Sequence, residues 1–293
     1  MLACTRQLSV WIIAARPKTL VASLTPVTIS GILFYQKHNV FPFWVFGGCL
    51  LFSLFVQVGS NYANDYYDYL RGADKERNLG PNRFVASGEI SPFCMKVAWI
   101  FTLSIAFVIG LVTLLFANGS YWFLSFGVAS VVCAVLYTAG PYAFAYNGLG
   151  DVFVILFFGI GAYEGTSYIL SCAEGVGWEA FWLLSLSMGL LINNILIVNN
   201  FRDYESDKQC GKKSLVVKLG KNFAIFQYLT GFLIPTFLLP YFYNHSALML
   251  LILPVSTIGL IKLYFAKKRQ CFDLVLTLTV FAVLIFGLTV VIN

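Results

Sequence analysis

Two short acidic sequences carry the chemistry open to this chain. The first is Asn61-Tyr62-Ala63-Asn64-Asp65-Tyr66-Tyr67-Asp68, and the second Asn199-Asn200-Phe201-Arg202-Asp203-Tyr204-Glu205-Ser206-Asp207. In each, an Asn stands four residues before the leading Asp and a Gly (Gly72, Gly211) four after the closing one. If each helix runs on through its motif, Asp65 and Asp68 share a face at i, i+3, and Asp203 and Asp207 share one at i, i+4. Paired carboxylates are hard oxygen donors of the kind Mg²⁺ uses when it bridges one or two acids to substrate phosphates. Four carboxylates carry −4 and an ionised diphosphate about −3, a repulsive combination that two Mg²⁺ and nearby cations would relieve. Arg83, Arg202, Lys212 and Lys213 are placed to supply those cations, arginine as a bidentate fork and lysine as a point charge. A metal-bound diphosphate leaves readily, because the charge that develops on it is stabilised. If the carbon left behind is allylic, the carbocation needs a dry aromatic pocket. Tyr62, Tyr66, Tyr67, Tyr69 and Tyr137 could line one, or could simply form an interfacial belt. One such acid pair alone would read as a solvated helix end. Two on the same side of a membrane call for a shared ligand.

The elements that must position these residues are apolar. The 293-residue chain is 59% hydrophobic and 11% charged, with mean hydropathy +0.80. One soluble core cannot hide that much apolar surface. Segments long enough to span a bilayer recur at roughly 20–35, 43–62, 94–116, 121–138, 150–171, 179–199, 223–243, 246–265 and 272–292. We therefore expect an all-α, multi-pass membrane bundle of about nine helices, with residues 1–293 forming one domain. Two long polar connections, near 63–92 and 200–222, open on the two acidic motifs, which suggests a duplicated unit. The other connections read mostly as tight turns. Gly161-Ala162-Tyr163-Glu164-Gly165 has the spacing of close helix packing within the bundle.

With the N-terminus inside, eighteen of the nineteen basic residues fall on inner segments, Lys75 and Arg77 among them, and only Lys37 falls outside. That bias accounts for the +6 net charge without nucleic acid. It also places the acidic motifs at the cytoplasmic face, in the inner membrane if the cell is bacterial. The seven cysteines lack CxxC spacing and read as small buried hydrophobes. His38 and His245 fall in outer turns, so neither haem nor zinc is indicated. Arg16, Pro17 and Lys18 interrupt the first apolar run, which argues against a signal peptide. Asn118-Gly-Ser and Asn244-His-Ser fit the glycosylation pattern, but their turns are short and close to the bilayer.

Asn64-Asp65-x-x-Asp68 with Asp203-x-x-x-Asp207-x-x-x-Gly211-Lys212 resembles the paired signature of the UbiA superfamily of intramembrane prenyltransferases. Further stretches resemble its 1,4-dihydroxy-2-naphthoate polyprenyltransferase (MenA-type) branch. These are Ala15-Arg16-Pro17-Lys18-Thr19-Leu20, Arg83-Phe84-Val85-Ala86-Ser87-Gly88, Gly140-Pro141 leading to Gly148-Leu149-Gly150-Asp151-Val152-Phe153, and Gly165-Thr166-Ser167-Tyr168. The matches run from about residue 14 to about 220. The resemblance implies nine helices around a central pocket open to lipid, holding a polyprenyl diphosphate through Mg²⁺, two ions by the charge count. It implies Asp65, Asp68, Asp203 and Asp207 as metal ligands, with Asp74 an outer candidate, and Arg83, Arg202 and Lys212 on the diphosphate. Asn64 would lie near the reacting carbon, with Asn61 and Tyr137 as further site candidates. Arg16 and Lys18 would place an aromatic acid acceptor. The implied reaction joins the prenyl carbon to the ring carbon bearing the carboxylate, with loss of carbon dioxide, on the route to menaquinone. The family pattern departs at Asp151, where Glu is usual, and at Gly211-Lys212-Lys213-Ser214-Leu215, where Thr is usual. These leave 4-hydroxybenzoate or a related naphthoate open as acceptor. No protein partner is indicated.

A transporter is the alternative from another class, since intramembrane acids also mark ion pathways, and Glu164 would be its residue. Its site, however, belongs near the bilayer midplane, and both motifs lie at helix ends. A phospholipid head-group transferase would need an Asp-Gly-x-x-Ala-Arg cluster, which the sequence lacks. Hydropathy excludes a soluble chain-elongating prenyl synthase.

Overall fold

The computed structural model describes residues 2–74, 79–80, 83–243 and 247–292, and the side chains of 7–74, 79–80, 83–239 and 248–292. Lys75, Arg77, Asn244 and His245 lie outside the described residues. Seven helices are long and apolar enough to cross a membrane, and two shorter apolar ones, Trp122–Leu136 and Leu248–Tyr264, complete the nine expected. The chain is an integral, multi-pass membrane protein. In hydrocarbon no water can satisfy a backbone amide, so each crossing segment must make its own hydrogen bonds, and helices do.

In chain order the helices are α1 (Leu2–Ala14), α2 (Pro17–His38), α3 (Phe43–Leu70), α4 (Pro92–Phe116) and α5 (Trp122–Leu136). The short α6 (Phe144–Asn147) and α7 (Gly150–Val154) follow, then a π-helical stretch Ile155–Gly161 that runs directly into α8 (Ala162–Glu174). Next come α9 (Trp182–Arg202), the short α10 (Tyr204–Gln209) and α11 (Leu215–Leu219), α12 (Lys221–Tyr243), α13 (Ile252–Tyr264) and α14 (Arg269–Ile292). Starts and stops follow local chemistry. Ser91 caps α4 by accepting the Cys94 N–H at 3.1 Å, with Pro92 in the first turn, where its missing N–H costs nothing.

The crossing helices close into a ring. α2 packs on α3, α8 and α14; α3 on α4 and α5; α9 on the π stretch, α12 and α14; and α13 on α12 and α14. Between bilayer-spanning helices the hydrophobic effect contributes little, so small residues and buried polar groups hold the contacts. Gly159 of the π stretch meets Gly189 of α9 so closely that a Cβ on Gly159 would lie 2.5 Å from the Gly189 Cα. Ser30 donates to the Tyr163 carbonyl at 2.9 Å, and Asn194 donates to that of Tyr228 at 3.1 Å.

Two corrections to the expected layout bear on the site. α3 runs on through its acidic motif to Leu70, but α9 ends at Arg202, and Asp203 occupies the break before α10. The expected i, i+4 relation survives because the Asp207 N–H still bonds to the Asp203 carbonyl at 2.8 Å. The segment from Thr138 to Leu149 is also no tight turn. It folds through α6 and returns against the acidic motifs.

Candidate active site

The first pair is placed by α3. Asp65 and Asp68 are nearly buried, at 2% and 6% exposure, although they sit at the end of a spanning helix. What covers them is α1, whose Val10 and Ala14 pack with Phe84, Val85, Ile90 and Met95. That contact pins the turn after Arg83, and the Phe84 N–H donates to Asp65 Oδ2 at 3.2 Å. Asp65 Oδ1 is buried with no hydrogen-bond partner. Arg83, itself 8% exposed, donates through Nη2 to Asp68 Oδ2 at 2.8 Å and pairs with Asp74 at 3.2 Å. Tyr146 of α6 donates to the other Asp68 oxygen at 2.8 Å. Burial works against the Arg83 charge, but Asp74, Asp68, Asp65 and Asp203 together outweigh it and hold the guanidinium above its ordinary value. Acids of both motifs therefore act on one arginine. Burial and the facing Asp68 carboxylate push the Tyr146 phenol well above its usual range, so it remains a proton donor.

The second pair is closed by its own cations. Arg202 grips Asp203 with two 2.8 Å bonds, Nε to Oδ1 and Nη2 to Oδ2, and Lys212 pairs with Asp207 at 2.9 Å. Asp68, Arg83, Arg202, Asp203 and Lys212 line one cavity of about 1760 Å³ that opens to the surface. The two motifs thus face a common space. Among the described residues no three acidic, His or Cys side chains converge to cage a metal unaided. Each motif instead offers an oxygen pair that would need further oxygens from water or substrate, the habit of Mg²⁺. The orphaned Asp65 oxygen and the all-carboxylate donor set fit such an ion.

The remaining candidates are distributed as follows. Asn64 lines the cavity, its Oδ1 accepting from Thr138 at 2.8 Å. Asn61 also lines it, but its Nδ2 is committed to the Ala15 carbonyl (2.9 Å) and Thr19 (3.0 Å), tying the α1–α2 corner to α3. At that corner Arg16 adopts a left-handed φ of 54°, and both Arg16 and Lys18 line the cavity, Lys18 reaching Thr277 on α14 at 3.3 Å. Lys213 is exposed and lines neither cavity described here; its N–H bonds to the Tyr146 carbonyl at 3.0 Å. Tyr146 and Thr138 were missed. The one signal for them was polar and glycine residues where a tight turn was expected.

A second cavity, about 1270 Å³, adjoins the first, and Gln57, Ser60, Tyr137, Val154 and Phe158 line both. Its wall includes Phe126, Phe153 and Phe157, whose rings stack face to face in series at 5.9 and 6.1 Å. From Tyr137 to Phe123 along α5 it runs roughly 21 Å at 1.5 Å per residue. Glu164 lines neither cavity. It accepts the Phe181 N–H at 3.0 Å at the start of α9, so it serves a helix end rather than an ion path.

Residues 23–276 match the UbiA prenyltransferase family. The chain is similar to a 1,4-dihydroxy-2-naphthoate octaprenyltransferase of Haemophilus influenzae, 35% identical over 73% of this chain and 70% of that one. It is also similar to the human UbiA prenyltransferase domain-containing protein 1, 29% identical over 89% of this chain and 74% of that one. In fold it is similar to a UbiA homolog from Archaeoglobus fulgidus bound to DMAPP and Mg²⁺, with TM-score 0.63, 18% identity, and coverage of 96% and 98% of the two chains.

Proposed function

The chain belongs to the UbiA prenyltransferase family, and from that premise we propose that it transfers a polyprenyl group from a polyprenyl diphosphate to 1,4-dihydroxy-2-naphthoate. The ring carbon loses carbon dioxide as it takes the prenyl group, giving the demethylated menaquinol. The observation that carries this reading is the single cavity faced by both aspartate motifs and by Arg83, Arg202 and Lys212.

Charge decides how the diphosphate is held. Asp65, Asp68, Asp203 and Asp207 carry −4 and the three cations +3, so the site alone still repels an anion. Two Mg²⁺ on these aspartates would reverse that and stabilise the charge on the leaving diphosphate. Arg83 and Arg202 then turn from the aspartates to the phosphate oxygens, which suit their planar forks. Tyr146 fixes Asp68 by its hydrogen bond, and Thr138 orients Asn64. The prenyl tail lies in the second cavity, whose apolar and aromatic walls keep water from the allylic carbon. Arg16 and Lys18 receive the acceptor carboxylate. Residues 1–293 act as one unit in the lipid bilayer, with the aspartate end facing the cytoplasm as the lysine and arginine bias requires.

The test supplies membranes carrying the protein with labelled polyprenyl diphosphate, Mg²⁺ or EDTA, and either dihydroxynaphthoate or 4-hydroxybenzoate. Mass spectrometry of the lipid extract should find the decarboxylated prenyl naphthol, only with Mg²⁺, and none with Asp203→Ala. Product from the benzoate alone would overturn the acceptor assignment. Product in EDTA, or wild-type turnover by the variant, would overturn the metal assignment.

A further inference from the structure

Asp151 is buried at 3% exposure, in the first turn of α7, and it lines the same cavity as the aspartate motifs. No cation pairs with it among the described residues. Instead two neutral amides reach it from different helices: Asn193 Nδ2 of α9 at 3.1 Å and Gln227 Nε2 of α12 at 2.8 Å. Both donate to the same oxygen, Oδ1. The second oxygen, Oδ2, has no side-chain donor. A carboxylate serving only the fold would be satisfied on both oxygens, because a half-satisfied buried acid is costly. Asp151 is thus rigidly held by one oxygen and open at the other.

Its place along the cavity is informative. Asn193, which holds it, lies ten residues before Asp203 on α9, roughly 15 Å deeper at 1.5 Å per residue. That interval has room for a diphosphate and an aromatic ring in succession. Tyr137 feels the charge of both Asp151 and Arg16, so these two groups flank one part of the cavity. An acid with a ring hydroxyl meets matching chemistry there: a guanidinium for its carboxylate and a carboxylate for its hydroxyl.

We propose that Asp151 is the proton acceptor for the ring hydroxyl adjacent to the carboxylated carbon of the acceptor. This rests on the prenyltransfer reading above. The O–H proton passes to Asp151 Oδ2 and the oxygen electron pair moves into the ring. The carboxylated ring carbon then bonds to the prenyl carbon, while the prenyl C–O bond breaks and its electron pair leaves with the diphosphate. Loss of carbon dioxide from the same ring carbon returns an electron pair to the oxygen, which takes its proton back from Asp151. Every atom is accounted for and no further reactant is needed. The amide pair on Oδ1 fixes the carboxylate without a competing cation, which leaves it basic.

The test compares wild type, Asp151→Asn and Asp151→Glu in membranes with polyprenyl diphosphate, Mg²⁺, and dihydroxynaphthoates of graded hydroxyl acidity made by ring fluorination. Asp151→Asn should lower kcat about 100-fold or more, the usual worth of a general base, with the KM for polyprenyl diphosphate unchanged. Asp151→Glu should keep at least about a tenth of wild-type kcat. The deficit of Asp151→Asn should shrink about tenfold on the most acidic acceptor, which needs the base least; a packing defect has no reason to track acceptor acidity. If Asp151→Asn does not accumulate in membranes, Asp151→Glu carries the same comparison, its smaller deficit again shrinking with acidity. A deficit constant across acceptors, or Asp151→Asn within about threefold of wild type, overturns the proposal. Wild type inactive on every acceptor would instead overturn the prenyltransfer reading.

Discussion

Replacing Arg83 by methionine isolates the charge logic of the site. Methionine keeps the unbranched reach and removes the guanidinium that pairs with Asp68 at 2.8 Å and Asp74 at 3.2 Å. Arg83 is 8% exposed and Asp68 6%, so solvent screens little of the loss. Stripping one partner from a buried ion pair costs about 3–5 kcal/mol, because the remaining charge is left uncompensated. At about 2–4 °C per kcal/mol, detergent-solubilised Arg83→Met should melt roughly 6–20 °C below wild type in EDTA. A divalent ion bound at one hundred times its Kd stabilises a folded protein by about 2.7 kcal/mol, so Mg²⁺ should raise both proteins. It should raise the variant more, since the ion there also relieves unpaired acids. Turnover should still fall about 10²–10³-fold in saturating Mg²⁺, the worth of one donor to developing charge. Arg83→Lys should fall between the two, keeping a charge but losing the fork. Thermal shift with and without EDTA, beside product mass spectrometry, reads all three. A variant melting within about 3 °C of wild type in EDTA and turning over within about threefold would refute the reasoning.

Two further outcomes follow from packing. Gly159→Leu would set a Cβ 2.5 Å from the Gly189 Cα and 2.6 Å from the Ser185 carbonyl, backbone atoms that cannot rotate away. It should cost about 3 kcal/mol or more and sharply lower the yield of folded protein in size-exclusion chromatography, whereas Gly177→Ala, with nothing within 4 Å, should not. Gly127 lines the second cavity, and a Cβ there also meets nothing within 4 Å. Gly127→Leu should therefore fold and shorten the space available to the tail, moving kcat/KM about tenfold or more toward shorter prenyl diphosphates in a competition assay.

Much of this was legible from local pattern. Apolar runs of spanning length gave the nine crossings, because hydrocarbon admits little else, and the recurring Asn-x-x-x-Asp spacing marked both acid pairs. What escaped was tertiary. Tyr146 reaches Asp68 from 78 residues away, and Gln227 reaches Asp151 from 76. No local spacing encodes such pairings. Nor could the break at Asp203 be read from sequence, since the residues on both sides suit a helix. Asn61 shows the reverse error: the motif marked it for ligand contact, and the structure engages it in holding the α1–α2 corner.

The π stretch at Ile155–Gly161 fixes more than the path of one helix. A widened turn holds one residue beyond what a regular coil would need, so its backbone could absorb the deletion of a single amino acid. The cost would appear beyond the stretch. Everything from Ala162 to Glu174 would swing round by about 100°, the angle one helical residue subtends. Glu164 would lose the Phe181 amide and turn toward acyl chains, and Thr166 would leave the lining it shares with Ile169. Relatives that differ by one residue here should therefore present a re-faced wall to whatever they bind.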